Sequence, residues 1–348
     1  MTEIDPLLRV KNLSTHFSTY SGNVKAIDAV NLEIKGKNGS LGLVGETGCG
    51  KSVTALSIMR LIPQPPGRIV QGEIWFNGEN LLQKSERYMQ REIRGKSISM
   101  VFQEPMTSLN PVIPILNQIV EAILLHPDTY DFDPPQSDNG DDVSKLDHRT
   151  FEQKVTERAL ELIGLTGIPE PEKVASGYPH QLSGGMRQRI MIAMALACHP
   201  QLLIADEPTT ALDVTIQAQI LALIKKIRKE FGVSLLLISH HLGLIAEMCE
   251  QVAVMYAGNI VEYTDIRSLF SNPTHPYTSG LMKCIPRLGE SRGRRLNTIK
   301  GTVPDLINPP SGCRFHPRCD QVSNDCLKNK PTLVEVGKEH FVACNLYA

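Results

Sequence analysis

Two glycine-bearing stretches have residue types that could hold phosphate groups. The first, Gly45-Glu46-Thr47-Gly48-Cys49-Gly50-Lys51-Ser52, fits G-x-x-x-x-G-K-[ST]. Glycines at 45, 48 and 50 let backbone N–H groups curl around phosphate oxygens, and a following helix adds the partial positive charge of its N-terminus. Lys51 is placed to bridge two phosphates, and the Ser52 hydroxyl to ligate Mg²⁺. The second, Leu182-Ser183-Gly184-Gly185-Met186, has a hydroxyl and two glycine amides ahead of an apolar run.

Further chemistry lies at the ends of apolar segments. Leu202-Leu203-Ile204-Ala205 reads as a buried strand that ends in Asp206-Glu207-Pro208. Carboxylates at the C-terminal end of a strand sit at the crevice where α/β sheets bind ligands. Asp206 suits a Mg²⁺ ligand, direct or through water, and Glu207 suits a group that polarises attacking water. Val101-Phe102-Gln103-Glu104-Pro105 carries a glutamine after another short apolar run, and His240 follows the apolar strand Val233–Ser239. Ala211-Leu212-Asp213 comes shortly after the acidic pair.

The positioning elements can be read from the same pattern. Leu41-Gly42-Leu43-Val44 predicts a strand before the first glycine loop, and Val53–Leu61 predicts the helix after it. Up to about residue 104 short strand signals alternate with turns such as Asn77-Gly78, which predicts an antiparallel β-subdomain on a phosphate-loop core. Residues 105–181 have a mainly helical pattern. Within them, 126–150 contain seven Asp together with Pro134-Pro135 and Asn139-Gly140, the composition of a solvated insertion.

Composition narrows the function classes. The 348 residues are 41% apolar and 21% charged, enough for about two domains with full cores. A formal net charge of -1 gives no electrostatic reason to expect nucleic acid as the ligand. The longest apolar runs fall short of the ~18 residues that span a bilayer, and the first ten residues lack the apolar core of a signal peptide. A cytoplasmic chain is expected, so any transport role calls for separate membrane subunits.

Six motifs in this order resemble the ABC ATPase family over nearly the whole chain. The resemblance implies an α/β fold: a P-loop NTPase core with antiparallel β-subdomain, helical subdomain and a small C-terminal cysteine-rich extension. It makes residues 45–52, with Val53, the Walker A loop for ATP and Mg²⁺, and 182–186 the signature that serves a nucleotide held by another chain. Gln103 becomes a Mg²⁺ and water contact, Asp206 the Walker B acid, Glu207 the water-orienting base and His240 the switch histidine on the γ-phosphate. Asp213 lies on the loop that crosses to the other nucleotide. The adenine partner is Phe17 by spacing, with Tyr20 as the alternative. Two positions depart from the broad pattern: Met186, where many cassettes have Gln, and His241, where Asp is common.

The C-terminal segment resembles a narrower group. Asn272-Pro273-Thr274-His275-Pro276-Tyr277-Thr278, Gly301-Thr302-Val303-Pro304-Asp305-Leu306 and Gly312-Cys313-Arg314-Phe315-His316-Pro317-Arg318-Cys319 are similar to the C-terminal extension of oligopeptide and dipeptide importer ATPases. Domains are expected at 1–268 and 269–348. Cys313, Cys319, Cys326 and Cys344 follow C-x₅-C-x₆-C-x₁₇-C, without the short knuckle usual for zinc. The resemblance implies a [4Fe–4S] cluster there; zinc and plain thiols stay open. It also implies a second related ATPase subunit, or a homodimer in isolation, two transmembrane permease subunits and, indirectly, an extracytoplasmic solute-binding protein, with the chain peripheral on the cytoplasmic face of the membrane. Peptide import is the expected task. Nickel or another small solute, or a non-transport ATPase acting on nucleic acid, are the alternatives.

Overall fold

A computed structural model describes residues 5–103, 108–130, 145–210, 212–285 and 298–347, the side chains of 145–150 excepted. Most of the expected acidic insertion, 131–150, and Glu104, Pro105 and Ala211 therefore lie outside the described residues or side chains. The strands in chain order are β1 (Leu8–Thr19), β2 (Gly22–Ile34), β3 (Ser40–Val44), β4 (Gly67–Phe76), β5 (Glu79–Asn80), β6 (Ile98–Val101), β7 (Leu202–Asp206), β8 (Ser234–Ser239), β9 (Gln251–Tyr256), β10 (Asn259–Asp265), β11 (Val334–Gly337) and β12 (His340–Val342). The chain divides into two compact units, residues 1–83 with 236–348, and residues 84–235.

In the first unit β2-β1-β4-β5 form the expected antiparallel sheet. Its register sets Leu8 opposite Ile34, Val10 opposite Leu32 and Leu13 opposite Val30, all buried. Apolar side chains at alternate positions thus share one face, which removes them from water. A second sheet of this unit runs β11-β12-β10-β9-β3, with β8 beside β3. β3 pairs with β9 in parallel, Leu43 opposite Ala253, and every residue of β3 is buried. A strand covered on both faces reads as a continuous apolar run, which is why Leu41–Val44 was legible as one.

The helix after the phosphate loop spans Lys51–Ile58, starting and ending earlier than the apolar pattern suggests. Gly50 caps its start at φ 107°, and Arg60, at φ 52°, leaves the helical region after its end. The C-terminal region does not stand apart in this unit. Its hairpin β11-β12 extends the second sheet, with Glu262 of β10 opposite Val342 of β12.

The second unit holds the parallel pair β6 and β7, with Ile98 opposite Leu202 and Val101 opposite Ala205. Helices Ile115–Leu124, Lys145–Leu165, Gly184–Ala195 and Val214–Phe231 accompany the pair. Ile115, Ile119 and Ile123, then Ile220, Ile224 and Ile227, are buried at helical spacing. Gly232, at φ 68°, closes the last of these helices, its N–H donating to Arg228 O. Among the described residues no helix is long and apolar enough to cross a membrane.

Candidate functional site: the phosphate loop and the acidic strand ends

The phosphate loop connects β3 to the helix Lys51–Ile58 and is braced by β9. A Cβ on Gly45 would stand 2.1 Å from Met255 O, so only glycine allows this approach of loop to strand. Gly258 N donates to Cys49 O at 2.8 Å and fixes the far side of the loop. Lys51 is buried, with its ammonium donating to Gly45 O at 2.9 Å and Glu46 O at 3.1 Å. The loop's own carbonyls therefore hold the Lys51 ammonium in place. Burial pushes the Cys49 thiol up to about 11, so it packs as a neutral side chain rather than as a nucleophile.

Thr47 and Gly48 are exposed, and Ser52 and Val53 are half-buried at the helix start. The first backbone N–H groups of a helix have no intrahelical partner, so this end can take an anion. The donor set fits a magnesium nucleotide: amides and Lys51 for phosphate oxygens, the Ser52 hydroxyl for Mg²⁺. His240 is exposed directly after β8. His241, the departure noted in the sequence, accepts from Leu244 N at 3.3 Å and caps the helix Leu242–Met248, a role that Asp also performs.

Of the adenine candidates, Phe17 is half-buried in β1 and lies against Gly67, where a Cβ would come within 2.7 Å of the ring. Tyr20 is fully exposed at the β1–β2 turn. Sheet packing accounts for the first ring and nothing in the fold requires the second.

In the second unit the parallel pairing of β6 and β7 brings Gln103 and Glu207 out at the same sheet edge. Gln103 Nε2 donates to Glu207 Oε2 at 3.4 Å, and Thr210 Oγ1 donates to the same oxygen at 2.9 Å. Glu207 takes φ 45°, a left-handed conformation uncommon outside glycine, that turns the chain sharply after Asp206. Asp206 is buried at the strand end. Two neutral donors on one oxygen fix the direction of the Glu207 carboxylate at the strand end.

The signature and residues 212 and 213 form one packed corner. Ser183 Oγ accepts from Met186 N at 3.3 Å and caps the helix Gly184–Ala195. Met186 thus contributes its backbone there, which makes the side-chain departure at 186 tolerable. Asp213 Oδ1 accepts from Ile216 N at 2.9 Å and caps the helix Val214–Phe231. Gln217 Nε2 donates to Thr209 O and Leu212 O, tying the turn after Glu207 to that helix. A Cβ on Gly185 would lie 2.7 Å from Ile216 Cγ2, so the two helix starts touch closely.

The four C-terminal cysteines are reduced and share one neighbourhood. Burial pushes the Cys313 thiol up to about 11, and Cys326, Cys344 and Cys319 add to the rise. Burial likewise raises Cys319 and Cys344. Yet among the described residues no three metal-capable side chains are gathered closely enough to hold an ion.

Sequence reasoning missed two residues that grip the phosphate loop. Arg318 donates to both carboxylate oxygens of Glu46, at 2.8 and 3.1 Å, and its guanidinium lies 5.7 Å from the Tyr256 ring centre. Tyr277 Oη accepts from Glu46 N at 3.1 Å. Tyr256, Tyr277 and Phe315 pack together tilted or edge-on, with centroids 4.6 to 5.4 Å apart. The signal available was the pair of sequence words 272–278 and 312–319, in which Tyr277 and Arg318 sit.

Comparison with known proteins agrees with this geometry. A family model described as "ABC transporter" matches residues 27–210, and one described as "Oligopeptide/dipeptide transporter, C-terminal region" matches 261–326. The chain is 48% identical to a probable peptide ABC transporter ATP-binding protein, y4tR of Sinorhizobium fredii, over 98% of this chain and 95% of the relative. It is 46% identical to the oligopeptide transport ATP-binding protein OppD of Bacillus subtilis, over 98% and 89%. The dimeric ATP-binding cassette MJ0796, solved in a post-hydrolysis state bound to ADP and Pi, matches with a TM-score of 0.60 at 25% identity, over 75% of this chain and 99% of that one. The cassette match over more than half of the chain, and relatives at 46–48% identity along nearly all of it, place this chain in the ABC transporter family.

Proposed function

We propose that this chain is the ATP-binding and ATP-hydrolysing subunit that powers peptide import through a membrane ABC transporter. The observation that carries the reading is the match of both segments, the cassette and the oligopeptide/dipeptide C-terminal region, in one chain that its peptide-transport relatives parallel almost end to end. Lys51 and the loop amides hold the phosphates, and Ser52, Gln103 and Asp206 serve Mg²⁺. Glu207 orients and deprotonates the water, and His240 steadies the γ-phosphate. Ser183, Gly184, Gly185 and Asp213 act on the nucleotide of a second, related ATPase subunit. Two permease subunits receive the closure of the ATPase pair, which places the chain at the cytoplasmic face of the membrane, and an extracytoplasmic binding protein supplies the peptide.

The resemblance extends the proposal to a [4Fe–4S] cluster on Cys313, Cys319, Cys326 and Cys344. The common neighbourhood of the four thiols supports it, and iron in excess of zinc after anaerobic purification is the expected result.

The transport reading is tested in vesicles carrying the chain with its permease and ATPase partners. ATP should drive accumulation of a labelled di- or oligopeptide. Glu207→Gln should leave ATP binding in place while hydrolysis at this site falls roughly 10²- to 10⁴-fold, the scale of a lost general base. Undiminished turnover at this site would remove Glu207 from its role; uptake of nickel but not peptide would replace the substrate.

A further inference from the structure

The two C-terminal sequence words converge on one residue of the phosphate loop. In the first, Glu262 of β10 is fully buried and accepts from Thr274 N at 2.8 Å, His275 N at 2.9 Å and His340 Nε2 at 2.8 Å. Burial lowers His275 to about 3, so its ring is neutral, and Nδ1 accepts from Tyr277 N at 3.0 Å. A buried carboxylate with three donors is a fixed point. It seats the helix Pro276–Lys283 so that Tyr277, itself fully buried, presents its hydroxyl to Glu46 N.

In the second word, Arg314 donates to Asp28 Oδ2 at 2.8 Å and to Ala257 O, which anchors the segment before Cys319. Arg318 then reaches Glu46 with a two-pronged bond while its Nε donates to Lys300 O at 2.9 Å. The Arg318 side chain is only 6% exposed and Glu46 is 24% exposed, so the pair is partly shielded from water and held in a two-pronged geometry. Glu46 is thus fixed at both its amide and its carboxylate by residues 231 and 272 positions away. Lys51 donates to Glu46 O at 3.1 Å, so what fixes Glu46 also bears on the buried ammonium.

We propose that Arg318 is a positioning residue for the nucleotide: it acts through Glu46, and with Tyr277 it makes the C-terminal region set the affinity of the phosphate loop for ATP. The inference rests on the ATPase reading above. Glu46 places a negative charge on a loop that must receive a polyanion. Paired with Arg318, that charge is neutralised and turned into a tether; unpaired, it repels phosphate and frees the loop. Substitution or damage within residues 313–319 would then be felt as weaker nucleotide binding, without any contact between that segment and the reacting atoms.

The test is nucleotide affinity of the isolated full-length chain, read with a fluorescent ATP analogue and by calorimetry with ATP itself. Arg318→Ala should raise the Kd roughly 5- to 50-fold, the range for a lost charge-assisted pair. Glu46→Gln in the Arg318→Ala chain should restore affinity to within about threefold of Glu46→Gln alone, because it removes the uncompensated charge. Tyr277→Phe, which keeps volume and charge, should raise the Kd a few-fold and provides the answer if Arg318→Ala does not fold. In the assembled complex Arg318→Ala should raise the KM for ATP and leave kcat nearly unchanged. Arg318→Ala within twofold of wild type, or a double variant as weak as Arg318→Ala, would overturn the inference. Failure of the wild-type chain to bind ATP would instead overturn the ATPase reading on which it stands.

Discussion

Under the proposed function the phosphate loop and the signature corner each have a nucleotide to serve, yet the chain secures them in opposite ways. The loop around Lys51 is tied to Gly258 just after β9, to Tyr277 of the helix Pro276–Lys283 and to Arg318 just before Cys319, far apart in sequence. The signature is held by neighbours: Ser183 caps its own helix, Asp213 caps the next, and Gln217 ties the turn between Glu207 and that helix. A site that must bind nucleotide within one chain needs a loop ordered before the ligand arrives, since ordering costs free energy at binding. A surface that meets a nucleotide on another chain needs mainly local rigidity and an accessible helix end. The difference teaches which half of the chemistry this chain completes for itself.

The largest expected effect would sharpen that contrast. Lys51→Ala removes a buried ammonium that two loop carbonyls hold, and ATP affinity of the isolated chain should fall roughly 10- to 100-fold, as expected for a lost charged hydrogen bond or two. Affinity unchanged in a titration of the purified variant would mean that the loop is not the nucleotide site, and the comparison would lose its first term.

A smaller effect probes the rigidity of the other corner. Gly185→Val forces side-chain atoms into space already taken by Ile216 and should lower stability to urea by about 1–3 kcal/mol, the usual range for overpacking. Ile216→Ala in the same chain should recover most of the loss, with ATP binding by the isolated chain preserved throughout. A Gly185→Val chain as stable as wild type would show that this contact is slack and that the signature does not depend on its neighbour.

The same contrast separates what the sequence displayed from what it hid. The phosphate loop was legible because its chemistry is contiguous: eight residues carry the turn glycines, the lysine and the hydroxyl. Gln103 and Glu207 are 104 positions apart, but each follows a short apolar strand, and the parallel pairing of those strands brings them to one edge. Asp213 and Ser183 were read as nucleotide contacts; their capping roles were equally available, since both stand just before helical patterns. Arg318 and Tyr277 were not legible. A single arginine or tyrosine has no spacing signal, and its partner is a loop position where the motif accepts any residue. The four cysteines are a third case: their pattern along the chain suggested a cage, and among the described residues no three metal-capable groups are gathered.

The contrast between a self-completed binding loop and a signature that serves another chain is tested most directly by Ser183→Arg. A bulky cation at the cap of the signature helix should obstruct closure onto a second chain's nucleotide while leaving the loop around Lys51 untouched. The measurement is the Kd for ATP of the monomeric Ser183→Arg chain beside wild type, with hydrolysis followed in the assembled transporter. The expected result is a Kd within about twofold of wild type and turnover lost at the site that this signature faces. Loss of ATP binding by the isolated variant, with its fold intact, would contradict the account.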